Sequence, residues 1–324
     1  RMTDGTTWRT LDLTAGGIPP GLGTPGMIAA NGESVAVVFD TDLLNDDRAL
    51  PWIAHGTIDG IEVVGPAEFQ SWGATSPAGR ELALSRAVAA HYVDERLIVA
   101  FEARWWLPRA TADYSIVTLA LASGGSVETL AADSAPLGGQ NTQTVTASFV
   151  ADGTLYLIGS TSLFGLSQRV IEVWTSQDGL RWDSRQYPTP ELGPWLTVHG
   201  AAGDGRTIVV QVEHALGPIP GERTTVVIER GDATVIDDGP GAISQVVRLE
   251  NQFLAGPNPD VVGDDLDRAV WTSLDGYTWV PLGESSRSLG FWTWTPYPRG
   301  VLTVSSGSIG YSGPWPFADE PGSR

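Results

Sequence analysis

Trp174-Thr175-Ser176-Gln177-Asp178-Gly179-Leu180-Arg181-Trp182 and Trp271-Thr272-Ser273-Leu274-Asp275-Gly276-Tyr277-Thr278-Trp279 are two copies of one phrase, and Asp4-Gly5-Thr6-Thr7-Trp8 is a third, shorter one. Each copy reads as the end of a strand, a tight turn and a second strand entered through a large aromatic. Glycine tolerates the positive φ that a two-residue connection needs, the Asp carboxylate accepts turn N–H groups, and the Trp supplies an apolar body to pack between neighbouring units.

Degenerate copies fill the gaps, at Thr57-Ile58-Asp59-Gly60, at Gly124-Gly125 and at Gly231-Asp232. With Asp4, Asp59, Gly124, Asp178, Gly231 and Asp275 as landmarks, the steps are 55, 65, 54, 53 and 44 residues. A further 53 residues lead from Asp275 through the C-terminus back to Asp4, so the intervals account for all 324 positions. About 54 residues per unit holds four strands, and the pattern predicts an all-β, six-bladed β-propeller. The expected blades are 27–65, 85–131, 142–188, 196–238, 242–283 and 292–324 plus 1–14, in a single domain over 1–324. Residues 292–313 would supply the inner strands of the sixth blade and Thr7 to Leu13 its outer strand, closing the ring by strand exchange. Propensity over Arg80 to Tyr92 also favours a helix, which is assigned to 78–84 ahead of an innermost strand at 85–92.

At Ser176-x-Asp178-Gly179-x-x-Trp182 and Ser273-x-Asp275-Gly276-x-x-Trp279 the chain resembles the Asp-box (BNR-type) repeats of the sialidase-like propeller superfamily, in a variant one residue shorter between Asp and Gly. The resemblance implies a scaffold shared by glycosidases, lectin-like modules and assembly factors, and a scaffold does not fix a function. Sialidases also carry an Arg-Ile-Pro type motif, and here Gly17-Ile18-Pro19-Pro20 lacks its Arg.

Composition narrows the partners. All 19 basic residues are Arg, against 38 Asp plus Glu, for a net charge of −19. Such a surface repels polyanions, so nucleic acid is not an expected partner. No apolar run is long enough to insert into a membrane. There is no cysteine, hence no disulfide and no thiolate chemistry. Arg1 opens almost inside a repeat turn, which reads as a processed boundary, and the chain is expected to be exported, to the extracellular space or the cell envelope.

In up-and-down blades the short turns at Asn31-Gly32, Asp94-Glu95, Asp152-Gly153 and Asp204-Gly205 fall on one face, which reads as closed and trim. The long connections, including 40–50, 66–84, 102–113, 131–141, 187–195, 257–268 and 283–291, share the opposite face, where rigid scaffolds carry binding residues. Binding candidates there are Arg104-Trp105-Trp106 in mid-loop, with Trp72, Trp195, Phe291 and Trp292, whose rings can stack on sugars or anchor a protein. His214, at a loop base, and His199, on an inner strand, are further candidates, although ordinary polar roles account for both.

Asp40, Glu102 and Glu213 follow equivalent strands and are the catalytic candidates, as a general acid and base on a glycoside. Hydrogen bonds to neighbouring loops or pairing with Arg explain them without catalysis. Arg48, Arg109, Arg169, Arg223 and Arg268 begin the third strands, where they could grip an anionic ligand or form blade-to-blade ion pairs with nearby aspartates. No cofactor is expected. Calcium is the one ion the acidic loops could take, at Asp42 and Asp46 or at Asp264, Asp265 and Asp267, yet neither loop has the EF-hand pattern. The leading reading is a non-catalytic recognition module for a glycan or protein; the alternative is a carbohydrate-active enzyme, a glycoside hydrolase or lyase.

Overall fold

The computed structural model describes residues 17–19, 25–31, 34–39, 52–57, 60–65, 81–106, 113–121, 127–129, 137, 142–162, 168–215, 221–237, 239–240, 243–249, 251–257, 270–282, 293–297, 300–305 and 308–312. These residues are all-β, with no α-helix among them and one 3-10 turn at Pro190–Leu192.

Among the described residues the strands fall into six sheets, each made of strands consecutive in sequence. The first holds β1 (Pro25–Asn31), β2 (Ser34–Phe39), β3 (Trp52–Thr57) and β4 (Gly60–Val64). The second holds β5 (Glu81–Val93), β6 (Arg96–Trp106), β7 (Asp113–Leu121) and β8 (Val127–Thr129). The third holds β9 (Thr142–Ala151), β10 (Thr154–Ser162), β11 (Arg169–Ser176) and β12 (Asp183–Tyr187). The fourth holds β13 (Trp195–Gly203), β14 (Thr207–Ala215), β15 (Glu222–Glu229) and β16 (Asp232–Ile236). The fifth holds β17 (Ile243–Leu249), β18 (Gln252–Pro257), β19 (Val270–Ser273) and β20 (Val280–Leu282). The sixth shows three strands, β21 (Thr293–Tyr297), β22 (Gly300–Ser305) and β23 (Ser308–Ser312). The chain divides into two compact units, Arg1–Leu157 with Thr161–Leu166 and Val173–Arg185, and Ile158–Ser160 with Ser167–Glu172 and Gln186–Arg324. Residues 1–14, on which closure by strand exchange depends, lie outside the described residues.

Within the first unit, β6 shows why the second strands are apolar throughout instead of alternating. Leu97, Val99 and Phe101 join a core with Ala36, Val38 and Ile53 of the first sheet. Ile98 and Ala100 point the other way, into a core with Val145, Leu155 and Trp174. A strand covered on both faces has no polar side to keep, and so reads as an unbroken hydrophobic run.

The repeated phrase joins the third and fourth strands of its sheet. Its connection, Gln177 to Trp182, is longer than the two-residue link expected, and side chains rather than a backbone hairpin organise it. Ser176 Oγ accepts the Gly179 amide at 2.8 Å. One oxygen of Asp178 accepts the amides of Leu180 and Arg181 at 2.9 and 2.8 Å. The second copy repeats the arrangement, with Ser273 Oγ on the Gly276 amide and Asp275 Oδ1 on the amides of Tyr277 and Thr278. In both, the indole N–H turns back onto the glycine carbonyl, at 3.0 Å for Trp182 and 2.8 Å for Trp279.

The turn also clamps its sheet to the preceding one. Trp182 packs with Val88, Ile98 and Ile116 of the second sheet, and its N–H is shared with Thr118 Oγ1. Thr118 in turn donates to the Gly179 carbonyl at 2.9 Å. In the second unit Trp279 packs with Val209 and Val227 of the fourth sheet. Gly179 and Gly276 have φ of 76° and 82°. A Cβ at Gly179 would lie 2.8 Å from Ile98, and one at Gly276 2.7 Å from Val209, so glycine is required by backbone conformation and by close approach together.

Two further expectations are corrected. Residues 81–84 belong to the long strand β5 and not to a helix, because their partners on β6 continue the ladder out to Glu81 opposite Trp106. The same ladder places Arg104, Trp105 and Trp106 at the end of β6, paired with β5 and β7, and not in mid-loop.

Gly153, with φ of 68° and open space around the added Cβ, separates the two requirements on glycine. Gly153→Ala is expected to cost about 1 kcal/mol through backbone conformation alone. Gly179→Ala is expected to cost about 1–3 kcal/mol more through overpacking, read as the difference in urea-unfolding free energy.

Burial by itself would raise the carboxyls of Asp178, Asp204 and Asp275, yet the turn amides that each accepts, with Arg181 beside Asp178 and Arg248 beside Asp204, hold all three below the usual carboxylate range. A depressed native pKa stabilises the fold above the unfolded value of about 3.9 and loses that contribution as pH falls towards the native value. Asp178→Asn with Asp275→Asn keeps an acceptor for the amides without the titration. That variant is therefore expected to show a shallower loss of stability below about pH 4 than the parent, measured by thermal melts from pH 5 to 2.

Candidate functional site

In the second unit, three neighbouring strands of the fourth sheet bring a carboxylate, a guanidinium and an imidazole together where the sheet meets its longer connections. The β14–β15 ladder sets Glu213 directly opposite Arg223, and Arg223 Nε lies 3.3 Å from Glu213 Oε2. The β13–β14 ladder shifts register between Val198 and Gly200. At this irregularity His199 Nε2 lies 3.1 Å from the same carboxylate oxygen, the kind of re-aiming that bulges produce. The side chains are 27%, 28% and 16% exposed for His199, Glu213 and Arg223, so solvent reaches the cluster without flooding it.

One residue pair deeper on the same face, Gln211 and Thr225 are fully buried, with Gln211 Nε2 donating to Thr225 Oγ1 at 2.8 Å. Gln211 Oε1 has no hydrogen-bond partner. At the outer edge, β13 opens with Trp195, which pairs with Ala215 while Thr197 pairs with Glu213. Alternation along β13 puts Trp195 on the Glu213 side of the sheet, and the residue is 49% exposed. The same alternation puts His214 on the opposite face from Glu213, so His214 does not join the cluster.

Burial lowers the His199 pKa, the Arg223 charge lowers it further, and Glu213 recovers only part of the loss. The imidazole is therefore neutral near pH 7. With Glu213 Oε2 as the acceptor of this hydrogen bond, Nε2 carries the hydrogen and Nδ1 is left as an acceptor. The cluster thus offers a fixed carboxylate, guanidinium N–H donors and one imidazole acceptor, all of which suit hydroxyl groups.

Sequence reasoning placed Glu213, Arg223 and His199 in separate sets. Arg223 pairs with Glu213 within its own sheet. Glu102 lies on β6 opposite Arg86 and Ile116, half-buried. Arg169 opens β11, and its amide donates to the Pro194 carbonyl at 3.0 Å. Asp40, Trp72, Phe291, Trp292, Asp42, Asp46, Asp264, Asp265 and Asp267, with Arg48, Arg109 and Arg268, lie outside the described residues. Among the described residues, no three His, Asp or Glu side chains are grouped to hold a metal ion, and no helix is long and apolar enough to cross a membrane. The buried Gln211–Thr225 pair was missed because a Gln in an apolar strand carries no mark of its own before the ladder sets a Thr opposite.

The sequence matches no protein-family model and no curated relative. Among solved structures, the chain is similar to the β-propeller domain of the Trilobed protease from Pyrococcus furiosus, at 10% identity and TM-score 0.49, over 89% of this chain and 79% of that one. It is similar to a mutant of Trypanosoma rangeli sialidase displaying trans-sialidase activity, at 14% identity and TM-score 0.42, over 69% of this chain and 42% of that one. It is also similar to the Penicillium chrysogenum α-L-arabinanase complexed with arabinobiose, at 9% identity and TM-score 0.44, over 76% and 77%. At such identities no activity carries over from these proteins.

Because Arg223 depresses the His199 pKa and Glu213 raises it, opposite changes should follow from removing each. Arg223→Gln is expected to raise the His199 pKa and Glu213→Gln to lower it, followed by NMR titration of the imidazole between pH 4 and 8.

Proposed function

We propose that the six sheets are the blades of one propeller over 1–324, closed by strand exchange, and that the protein is an exported carbohydrate-binding module that takes a glycan at the long-connection end of its fourth sheet. Repeat spacing and the meander order of every sheet support the architecture. The observation that carries the ligand assignment is the fixed His199–Glu213–Arg223 cluster on the same side of the sheet as the exposed Trp195. A sugar ring presents an apolar face that stacks on indole and hydroxyls that need donors and acceptors in set positions. The ion pair and the imidazole hold those groups in place before binding, which reduces the ordering cost. Trp105 and Trp106, by their position at the end of β6, are proposed as further contacts.

Glycoside hydrolysis is the second reading, favoured by one observation: a partly buried carboxylate hydrogen-bonded to a neutral imidazole. It is also the reaction class of the arabinanase. Glu213 is held by Arg223 at 3.3 Å and by His199 at 3.1 Å, and a second carboxyl, such as Asp40 or Glu102, would have to complete the acid–base pair.

On a glycan array the chain is expected to capture a restricted set of glycans. Trp195→Ala should weaken capture about tenfold, or about 1.4 kcal/mol, with an unchanged melting temperature. Absence of any captured glycan, or capture indifferent to Trp195→Ala, overturns the binding reading. Release of reducing sugar from a captured glycan, lost in Glu213→Gln, would replace it with the hydrolytic one.

A further inference from the structure

The end of the sheets that the turn pattern marks as closed contains a cavity. It lies in the first unit and has a volume of about 230 Å³, bounded by short-turn residues Ser34, Thr57, Gly60 and Glu95 and walled by Leu97 and Leu121. Gly56 helps to shape it: with φ of 139°, a side chain there would run into the Gly60 carbonyl.

Two residues that line this cavity, His55 and Tyr92, each carry a buried polar atom without a hydrogen-bond partner, Nε2 and Oη. His55 is 7% exposed. Its cross-strand neighbour is Glu62, whose Oε2 is 3.9 Å away, too far for a hydrogen bond. Tyr92 comes from the second sheet, where it pairs with Leu97 and packs against the core that the first two sheets share. The Gly56 backbone is near enough to temper the rise that burial imposes on the phenol, but Oη completes no hydrogen bond to it. Leaving a buried polar group unsatisfied costs stability, and proteins rarely leave two beside one cavity.

The charge around these atoms has one sign. Burial lowers the His55 pKa more than Glu62 raises it, so the imidazole is neutral near pH 7, and the phenol is neutral as well. Glu62 and Glu95 also line the cavity, and no Arg does. Arg96, next in sequence to Glu95, is turned to the Asp178 carbonyl at 3.2 Å. A ligand entering here meets two carboxylates, two neutral hydrogen-bonding groups and a leucine wall, with an aromatic ring available to a cation.

We propose that this cavity binds a small organic ammonium compound, whose hydroxyl or N–H groups satisfy His55 Nε2 and Tyr92 Oη while Glu62 and Glu95 hold its charge. The volume sets the size at a few heavy atoms up to a single small ring, below that of pockets for drug-sized ligands. The site shares no residue with the His199–Glu213–Arg223 cluster, so it stands or falls independently of glycan binding.

Ethanolamine is the probe, titrated at constant pH and ionic strength while the His55 imidazole is followed by NMR, with His55→Gln identifying its resonances. Ethylene glycol, of similar size and uncharged, is the comparison. A saturable shift with ethanolamine and none with ethylene glycol is the expected result. Glu62→Gln and Tyr92→Phe should each weaken the apparent affinity at least about fivefold. Glu62 is exposed and Phe keeps the ring packing, so both variants should fold, as their melting temperatures will show. No saturable shift with ethanolamine, an equal response to ethylene glycol, or an affinity indifferent to both substitutions overturns the proposal.

Discussion

The contact between each Ser-x-Asp-Gly-x-x-Trp turn and the sheet before it is the constraint on which the rest of the structure depends. Separate meander sheets have no covalent reason to stack in a set order, and an isolated four-stranded sheet leaves its faces exposed. The turn supplies the attachment with three groups at once. The Asp and Ser side chains satisfy the amides of an irregular connection. The glycine lets that connection lie against Ile98 or Val209 of the neighbour, and the indole fills the space beside it while bonding back to the glycine carbonyl. Losing any one exposes or strains the other two, and in the two complete copies all three act together.

Given that attachment, the second strands follow. Once a neighbour covers each face, a strand such as β6 sends alternate residues into two different cores, and both must be apolar. Polar groups are then confined to strand ends, where ladders stop and loops begin, or to buried pairs that satisfy each other, as Gln211 Nε2 and Thr225 Oγ1 do. The His199–Glu213–Arg223 cluster sits at one such end. The His55–Tyr92 cavity sits at another, among the short turns. Neither required a departure from the repeat, only the replacement of a few side chains where the packing demand on the strand has run out.

Much of this was legible in the chain of letters, and the reason is local. The Asp-Gly and Trp positions, the strand-like runs such as Leu97-Ile98-Val99-Ala100-Phe101, and the positive φ at Asp152-Gly153 depend on residues within a few positions of one another. The misreadings were also local. Alanine and leucine in Arg80 to Tyr92 favour a helix in isolation, and pairing of β5 with β6 overrode them. Arg104-Trp105-Trp106 read as loop because nothing nearby shows that its partners lie across two ladders.

Residue order alone established the repeat, its length, the strand character of its segments and the acidic surface, because periodicity and turn chemistry act over short distances. Which polar groups meet was a matter of folding. Glu213 finds Arg223 through ladder register, His199 through a one-residue irregularity, and His55 shares a cavity with Tyr92 because adjacent sheets face each other. Register and facing are set by the sum of many packing contacts between segments distant in sequence, and no short stretch of residues carries that information.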